Sequence, residues 1–278
     1  MYAKEEQRHL FDLSKRLLTQ NTEGVNALEA ATNVADLQAV LRYNEWRYYV
    51  MDDPQLSDFE YDMLYKKLEH IEDLYPELIT PDSPTMRVGS DIKEEFKTVP
   101  HLTPMLSLEN SYNADDLMDF DKQVRKLADM PDDAEIEYCV EPKFDGGTIA
   151  LVYENDVLVQ AATRGNGVMG EEMTNNAKVM RSIPLRAAFS SHKIRKVELR
   201  GEALIRKDIF DKINKQREAD GQTVFANPRN AATGGLRTKD PKDTKARGIE
   251  AFVYQLSFAE NTEGVQIARS FHTHHESI

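Results

Sequence analysis

Residues 141–165 read EPKFDGGTIALVYENDVLVQAATRG. The part from Thr148 onward predicts a β-hairpin, two apolar runs that turn at Glu154-Asn155-Asp156. Just upstream, EIEYCVEPK (135–143) alternates with period two and predicts a strand running into Lys143. Working outward, KVELRGEALI (196–205) and IEAFVYQLSFA (249–259) predict further strands, and residues 171–180 a helix. KDIFDKINKQREADG (207–221) predicts a helix stopped by Gly221, and Asn113 caps another through about Met130. Strands in hairpins with segregated helices imply an α+β domain on a mostly antiparallel sheet.

The first third differs. Residues 4–18 and 34–50 carry apolar residues at helical spacing, including Leu37, Val40, Leu41 and Tyr48. Pro54 breaks that pattern. Ser57 with Glu60 three residues on is a capping-box signature. Tyr61, Leu64, Leu68, Ile71 and Tyr75 then mark one helix face. Pro76, Pro81 and Pro84 punctuate a linker, which places a boundary near residue 85. The expected units are a small helical domain, 1–85, and a larger α+β domain, 86–278.

Composition is that of an ordinary folded chain, 40% hydrophobic and 30% charged. No apolar run reaches the roughly 18 residues of a membrane span, and the charged N-terminus lacks a signal-peptide core. The single cysteine, Cys139, excludes a disulfide framework and a Cys-rich zinc site. These features point to a cytoplasmic protein without membrane association. Net charge is -13, which opposes nucleic-acid binding by the chain as a whole. Residues 178–248, however, hold 18 Lys+Arg against 8 Asp+Glu. That stretch reads either as a solvated basic face or as a surface that tracks phosphates.

Glu141-Pro142-Lys143-Phe144-Asp145-Gly146 is the sharpest chemical feature. A lysine sits at an expected strand end, and the glycine lets the chain approach a ligand closely. A nucleophilic lysine must be neutral, against an ordinary pKa of about 10.4, so it needs burial or a neighbouring cation. A surface lysine in a turn is the plain alternative. Downstream come Thr163-Arg164-Gly165-Asn166-Gly167, Glu198-Leu199-Arg200-Gly201-Glu202 and Phe225-Ala226-Asn227-Pro228-Arg229-Asn230. Arginine suits phosphate through its planar fork, and carboxylates suit ribose hydroxyls or a metal. Each segment taken alone also reads as structural. The terminal His272, His274 and His275 read as a frayed end rather than a metal site.

In this order and spacing the motifs resemble the nucleotidyltransferase superfamily of DNA ligases and mRNA capping enzymes. Four further segments resemble its bacterial NAD+-dependent DNA ligase branch. They are Tyr48-Tyr49-Val50-Met51-Asp52, Ser57-Asp58-Phe59-Glu60-Tyr61-Asp62, PELITPDSPTMRVG (76–89) and Ser107-Leu108-Glu109-Asn110. The resemblance implies an ATP-grasp-like nucleotidyltransferase fold after the helical domain. It implies Lys143 as the nucleophile that takes AMP from NAD+. Glu141, Ser107 and Leu108 would line the adenosine pocket, with Asp145 and Gly146 beside it and Tyr254 stacked on adenine. Arg164 and Glu202 would contact the nucleotide, and Arg229 and Arg237 phosphates of cofactor or DNA. Tyr48, Tyr49, Asp58, Phe59, Glu60, Tyr61 and Asp62 would hold nicotinamide mononucleotide (NMN), and aromatic faces do suit a cationic ring. Mg2+ is implied by the reacting phosphates, with no ligand set legible. Nicked double-stranded DNA is the implied partner of the full-length ligase, and a monomer the implied state. Gly147-Thr148, Asn166 and Tyr49 stand where the family usually has Leu-Ala, Asp and His. The family's next lysine motif is not found, so the expected chain is a fragment incomplete at its C-terminus. The alternatives are a non-catalytic NAD+-binding fragment and another covalent nucleotidyltransferase.

Overall fold

Ser57 starts a helix by the predicted device. Its Oγ accepts from Glu60 N at 3.3 Å, and Glu60 Oε2 accepts from Ser57 N at 2.9 Å. The computed structural model describes residues 2–22, 24, 26–49, 51, 53–87, 96–106, 110–131 and 133–267. Three helices form the N-terminal unit: α1 (Lys4–Thr19), α2 (Ala27–Tyr49) and α3 (Asp58–Leu74). Helix α2 begins seven residues before the periodic stretch. Its first turn exposes Leu28, and Asn26 Oδ1 caps it by accepting from Leu28 N and Glu29 N. Leu17, Leu37, Leu41, Tyr43, Leu64, Leu68 and Ile71 meet in a core with no solvent exposure. Lys67 Nζ closes the end of α1 by donating to the carbonyls of Leu17, Leu18 and Gln20. The proline stretch folds back on these helices. Buried Glu72 accepts from Gln38, Ser83 and Thr85 side chains.

The second unit is built on a sheet of order β3-β2-β5-β6, antiparallel throughout. Its elements in chain order are β1 (Thr98–Pro100), α4 (Ala114–Leu127), β2 (Gly147–Glu154), β3 (Val157–Thr163), β4 (Met169–Glu171) and α5 (Thr174–Lys178). There follow β5 (Ile194–Ile205), α6 (Lys207–Ala219), α7 (Pro228–Leu236), α8 (Pro241–Ala246) and β6 (Ile249–Asn261). Strands β1 and β4 pair separately. The hairpin turns where expected: Asn155 and Asp156 have φ of 50° and 73°, the left-handed pair that a tight hairpin needs. Period two gives each strand two faces. Val197, Ala203 and Ile205 of β5 join Ile149, Leu151 and Tyr153 of β2, Met173 and Ala177 near α5, and Ala231, Ala232 and Leu236 of α7 in one core. The opposite face of β5 carries Glu198, Arg200 and Glu202.

The strand expected at 135–143 does not form; residues 134–145 are irregular. Period-two alternation specifies a face but not a ladder partner, and no described strand pairs with this segment. Val140 is 94% exposed. Tyr138 turns toward α4 instead, its hydroxyl donating to Asp121 Oδ1 at 2.7 Å. The helix expected at 171–180 is shorter, because β4 takes its first residue.

Candidate functional site

Lys143 leads into the Gly146–Gly147 entry to β2, and three contacts fix that entry. The Phe144 ring packs on Phe252 of β6, with centroids 4.5 Å apart. Gly146 N donates to Glu202 Oε1 at 3.2 Å. Arg229 Nη1 donates to Asp145 Oδ1 at 2.9 Å. Gly146 must be glycine, because a Cβ there would lie 2.2 Å from Ala203 O. Arg229 is presented by α7, whose N-cap Asn227 accepts from Asn230 N and whose first residue is Pro228. The helix buries Ala231, Ala232 and Leu236 against the sheet and leaves Arg229 outward.

Register explains the rest. Thr148 lies opposite Glu202, and Ala150 opposite Arg200. Burial pushes the Glu202 carboxyl up; the Thr148 hydroxyl, Gly146 N–H, Lys143 and Arg229 pull it back. Tyr254 lies where the β5–β6 register shifts, between residues paired with Arg200 and Gly201. Burial raises its phenol, Glu202 adds to that, and Arg200 and Arg164 oppose it. Glu202, Arg200, Arg164 and Tyr254 thus share one electrostatic neighbourhood. Arg164 opens a turn in which Gly165 and Gly167 have φ of 55° and 89°. In the sequence Thr148 stands out only as a departure from the family pattern; its period-two position in TIALVYE is the signal that would place it beside the site. Arg237 follows α7 and donates to Glu171 Oε1 at 2.6 Å. Glu141 is exposed. Ser107 and Leu108 lie outside the described residues, as do Val50, Asp52, Glu109, residues 88 and 89 of the proline-rich motif, the side chain of Tyr49 and the terminal histidines.

The nicotinamide-side candidates gather elsewhere. The Tyr61 hydroxyl donates to Glu45 Oε1 at 3.1 Å, and the Tyr61 and Tyr65 rings stack with centroids 6.5 Å apart. Tyr48 is half exposed and lies one turn beyond Glu45 on α2; Asp58, Phe59 and Asp62 are exposed. Glu60 is engaged by its capping box and by Lys15 Nζ at 2.6 Å, which holds its carboxyl down at about 2. Glu45 and Trp46 line a cavity of about 580 Å³ between the two units, faced by Arg181, Ser182 and Arg186. Arg186 Nε reaches Asp82 Oδ2 at 3.1 Å, and Arg42 shares that carboxylate at 3.3 Å. Arg186 also bridges Val157 at the turn end of the hairpin. Lys143 precedes the other end of β2, which is eight residues long, or about 23 Å at strand rise. The candidates therefore form two clusters, one toward each end of β2.

No group of three or more His, Cys, Asp or Glu side chains that could hold a metal ion exists among the described residues, and Asp145 is already paired with Arg229. These residues offer no protein cage for Mg2+, which commonly rests on substrate phosphates and waters. No described helix is long and apolar enough to cross a membrane.

Comparison with known proteins gives the family. Residues 93–276 match the model of the NAD-dependent DNA ligase adenylation domain. Residues 27–89 match that of the DNA ligase-like, N-terminal NAD+-binding domain. The chain is similar to proteins named DNA ligase from Sulfurihydrogenibium azorense (54% identity over 94% of this chain and 37% of that one), Persephonella marina (49%, over 100% and 39%) and Aquifex aeolicus (48%, over 100% and 38%). It spans 37% to 39% of the length of these relatives.

Proposed function

The chain belongs to the NAD-dependent DNA ligase family, and from that premise we propose that it carries the adenylation step of nick joining. Lys143 Nζ attacks the α-phosphate of NAD+. A P–N bond to AMP forms, the pyrophosphate P–O bond breaks, and NMN leaves with that oxygen. The lysine gives up its proton to solvent. Arg229 and Arg164 hold phosphate oxygens, with Arg229 passing from Asp145 to the nucleotide. Glu202 accepts a ribose hydroxyl, and Tyr254 packs on adenine. Tyr48, Asp58, Tyr61 and Asp62 hold the NMN half once the helical unit moves from the turn end of β2 toward Lys143, which assigns residues 1–85 to NMN and 86–278 to AMP. Arg237 engages phosphate of cofactor or DNA. In the complete ligase the AMP passes to the 5′-phosphate of nicked double-stranded DNA, and the 3′-hydroxyl displaces it. Mg2+ would neutralise the reacting phosphates. A cytoplasmic monomer fits this role.

The observation that carries the reading is that the two residues pairing with Glu202 and Arg229, Gly146 and Asp145, closely follow Lys143 at the entry to β2, in a chain whose residues 93–276 match an adenylation domain. The test is intact mass of the purified chain before and after NAD+, with ATP in parallel. A gain of one AMP from NAD+ alone supports the reading. NAD+ binding with no adduct favours a non-catalytic binding module, and a gain from ATP another covalent nucleotidyltransferase.

A further inference from the structure

Glu198 and Arg200 lie on the same face of β5 as Glu202, and both are committed to a segment about 96 residues upstream. The Glu198 side chain has no solvent exposure. Its Oε2 accepts from Leu102 N at 2.7 Å, and its Oε1 from Ser257 Oγ at 2.6 Å and Arg200 Nη2 at 3.1 Å. Arg200 Nη2 donates to Thr103 O at 2.6 Å and Thr103 Oγ1 at 2.7 Å, and Nη1 to Pro104 O at 3.2 Å. A buried ion pair adds little net stability over apolar residues of similar volume, because both ions lose their water. This pair is spent on backbone groups of residues 102–104, which form no ladder of their own.

The same segment touches the Arg164 turn on its other side. His101 N donates to Val168 O at 3.0 Å, and Met105 N to Gly167 O at 2.8 Å. His101 Nε2 and Arg164 O are 3.1 Å apart. The fit is close: a Cβ at Gly167 would lie 2.7 Å from Met105 O. Residues 101–105 are thus wedged between β5 and the turn that presents Arg164.

We propose that Glu198 and Arg200 are positioning residues which, through the His101–Met105 segment, set the Arg164 turn for the adenylate phosphate. The inference rests on the adenylation reading above and adds to it two residues that are kept from the nucleotide by the segment they hold. The guanidinium fork is essential, because it reaches two carbonyls and a hydroxyl at once, which an ammonium cannot match in the same plane.

The test uses the full 278-residue chain, AMP and NMN as calorimetric ligands, and the variants Arg200→Lys, Thr103→Val, Glu198→Gln and Arg164→Ala. Arg200→Lys should weaken AMP binding about tenfold, within the range of measured couplings between touching residues, with NMN binding unchanged. Thr103→Val should act in the same direction. Amide exchange should quicken at Leu102 and Met105. Combined with Arg164→Ala, Arg200→Lys should add little, since a misplaced Arg164 has little left to lose. Unchanged AMP affinity in folded Arg200→Lys and Thr103→Val chains overturns the proposal alone. So does full additivity with Arg164→Ala, or failure of all three clamp variants to fold, which would make the pair merely structural. If the unaltered chain binds neither AMP nor NAD+, the adenylation reading falls and the proposal with it.

Discussion

Arg229 Nη1 and Asp145 Oδ1 meet at 2.9 Å, joining the N-terminus of α7 to the turn after Lys143. Their side chains are 59% and 74% exposed. An exposed pair of this kind contributes little to folding, so its value is where it holds the guanidinium. Arg229→Ala should change unfolding stability by no more than about 0.5 kcal/mol. AMP transfer to Lys143 should nevertheless fall about a hundredfold, the usual loss of one preorganised donor to a reacting oxyanion. Urea unfolding and a time course of intact mass measure the two effects. A parallel fall in both would mean that Arg229 is structural.

Lys143 lies at the exposed approach to β2, where a phosphate has access from solvent. Lys143→Ala should take up no AMP from NAD+, and Lys143→Arg should fail equally, since guanidinium stays protonated. An adduct on either variant, located by peptide mapping, would move the nucleophile elsewhere.

What was legible in the sequence was local. Ser57 with Glu60, Asn113, the Asn155-Asp156 turn and the stop at Gly221 each act within a few residues, and each element begins or ends there. The strand expected at 135–143 failed for the opposite reason: a ladder needs a distant partner, and alternation does not name one. At the proposed site, the motifs point to Lys143, Glu202 and Arg229. The sequence could not say that Thr148 lies opposite Glu202, or that Arg200 holds Thr103 and Pro104. Those facts depend on register and on contacts across some 96 residues. Glu60, which the resemblance places with the nicotinamide residues, has its carboxylate engaged by Ser57 and Lys15.

Gly146 tests the close approach directly. A Cβ would sit 2.2 Å from Ala203 O and 2.6 Å from Leu204 Cδ2, and a backbone carbonyl within β5 cannot swing aside as a side chain can. Gly146→Ala should destabilise the chain by about 1–3 kcal/mol, as overpacking does. It should also displace the Gly146 N–H from Glu202. Denaturant unfolding measures the loss; an unchanged midpoint would show that the entry to β2 is looser than its contacts indicate.

Glu60 gives the helical unit an acid-sensitive component. Its carboxyl is held at about 2, below the ordinary 4.5, first by the hydrogen bond from Lys15 and then by Ser57 N–H. A depressed carboxylate stabilises fully above its unfolded value, and that contribution is lost as pH falls toward the folded one. The window here runs from about pH 4.5 down to about pH 2. Glu60→Gln should be less stable than the unaltered chain near neutrality, and the gap should close through that window. Trp46, the only tryptophan, sits in this unit and reports its unfolding by fluorescence. A gap independent of pH would assign the role to packing instead of charge.

The two units have separate cores, one drawn from residues 10–71 and one from 149–249, and they meet at the Asp82–Arg186 ion pair and the cavity beside it. Removing residues 1–85 should therefore leave the larger unit folded, with the Arg181–Ala188 wall of the cavity open to water. AMP binding should persist, because Glu202, Arg229, Tyr254 and Arg164 all remain. Reaction with NAD+ should be lost, because Tyr48, Asp58, Tyr61 and Asp62 leave with the deleted part. Tyr61→Ala or Asp62→Ala in the intact chain should act in the same direction, raising KM for NAD+ without weakening AMP. Calorimetry with AMP and mass analysis after NAD+ treatment separate the two halves of the cofactor. Undiminished reaction of the shortened chain with NAD+ would refute the assignment of the nicotinamide half to the helices. A shortened chain that unfolds would make those helices a structural support for the sheet.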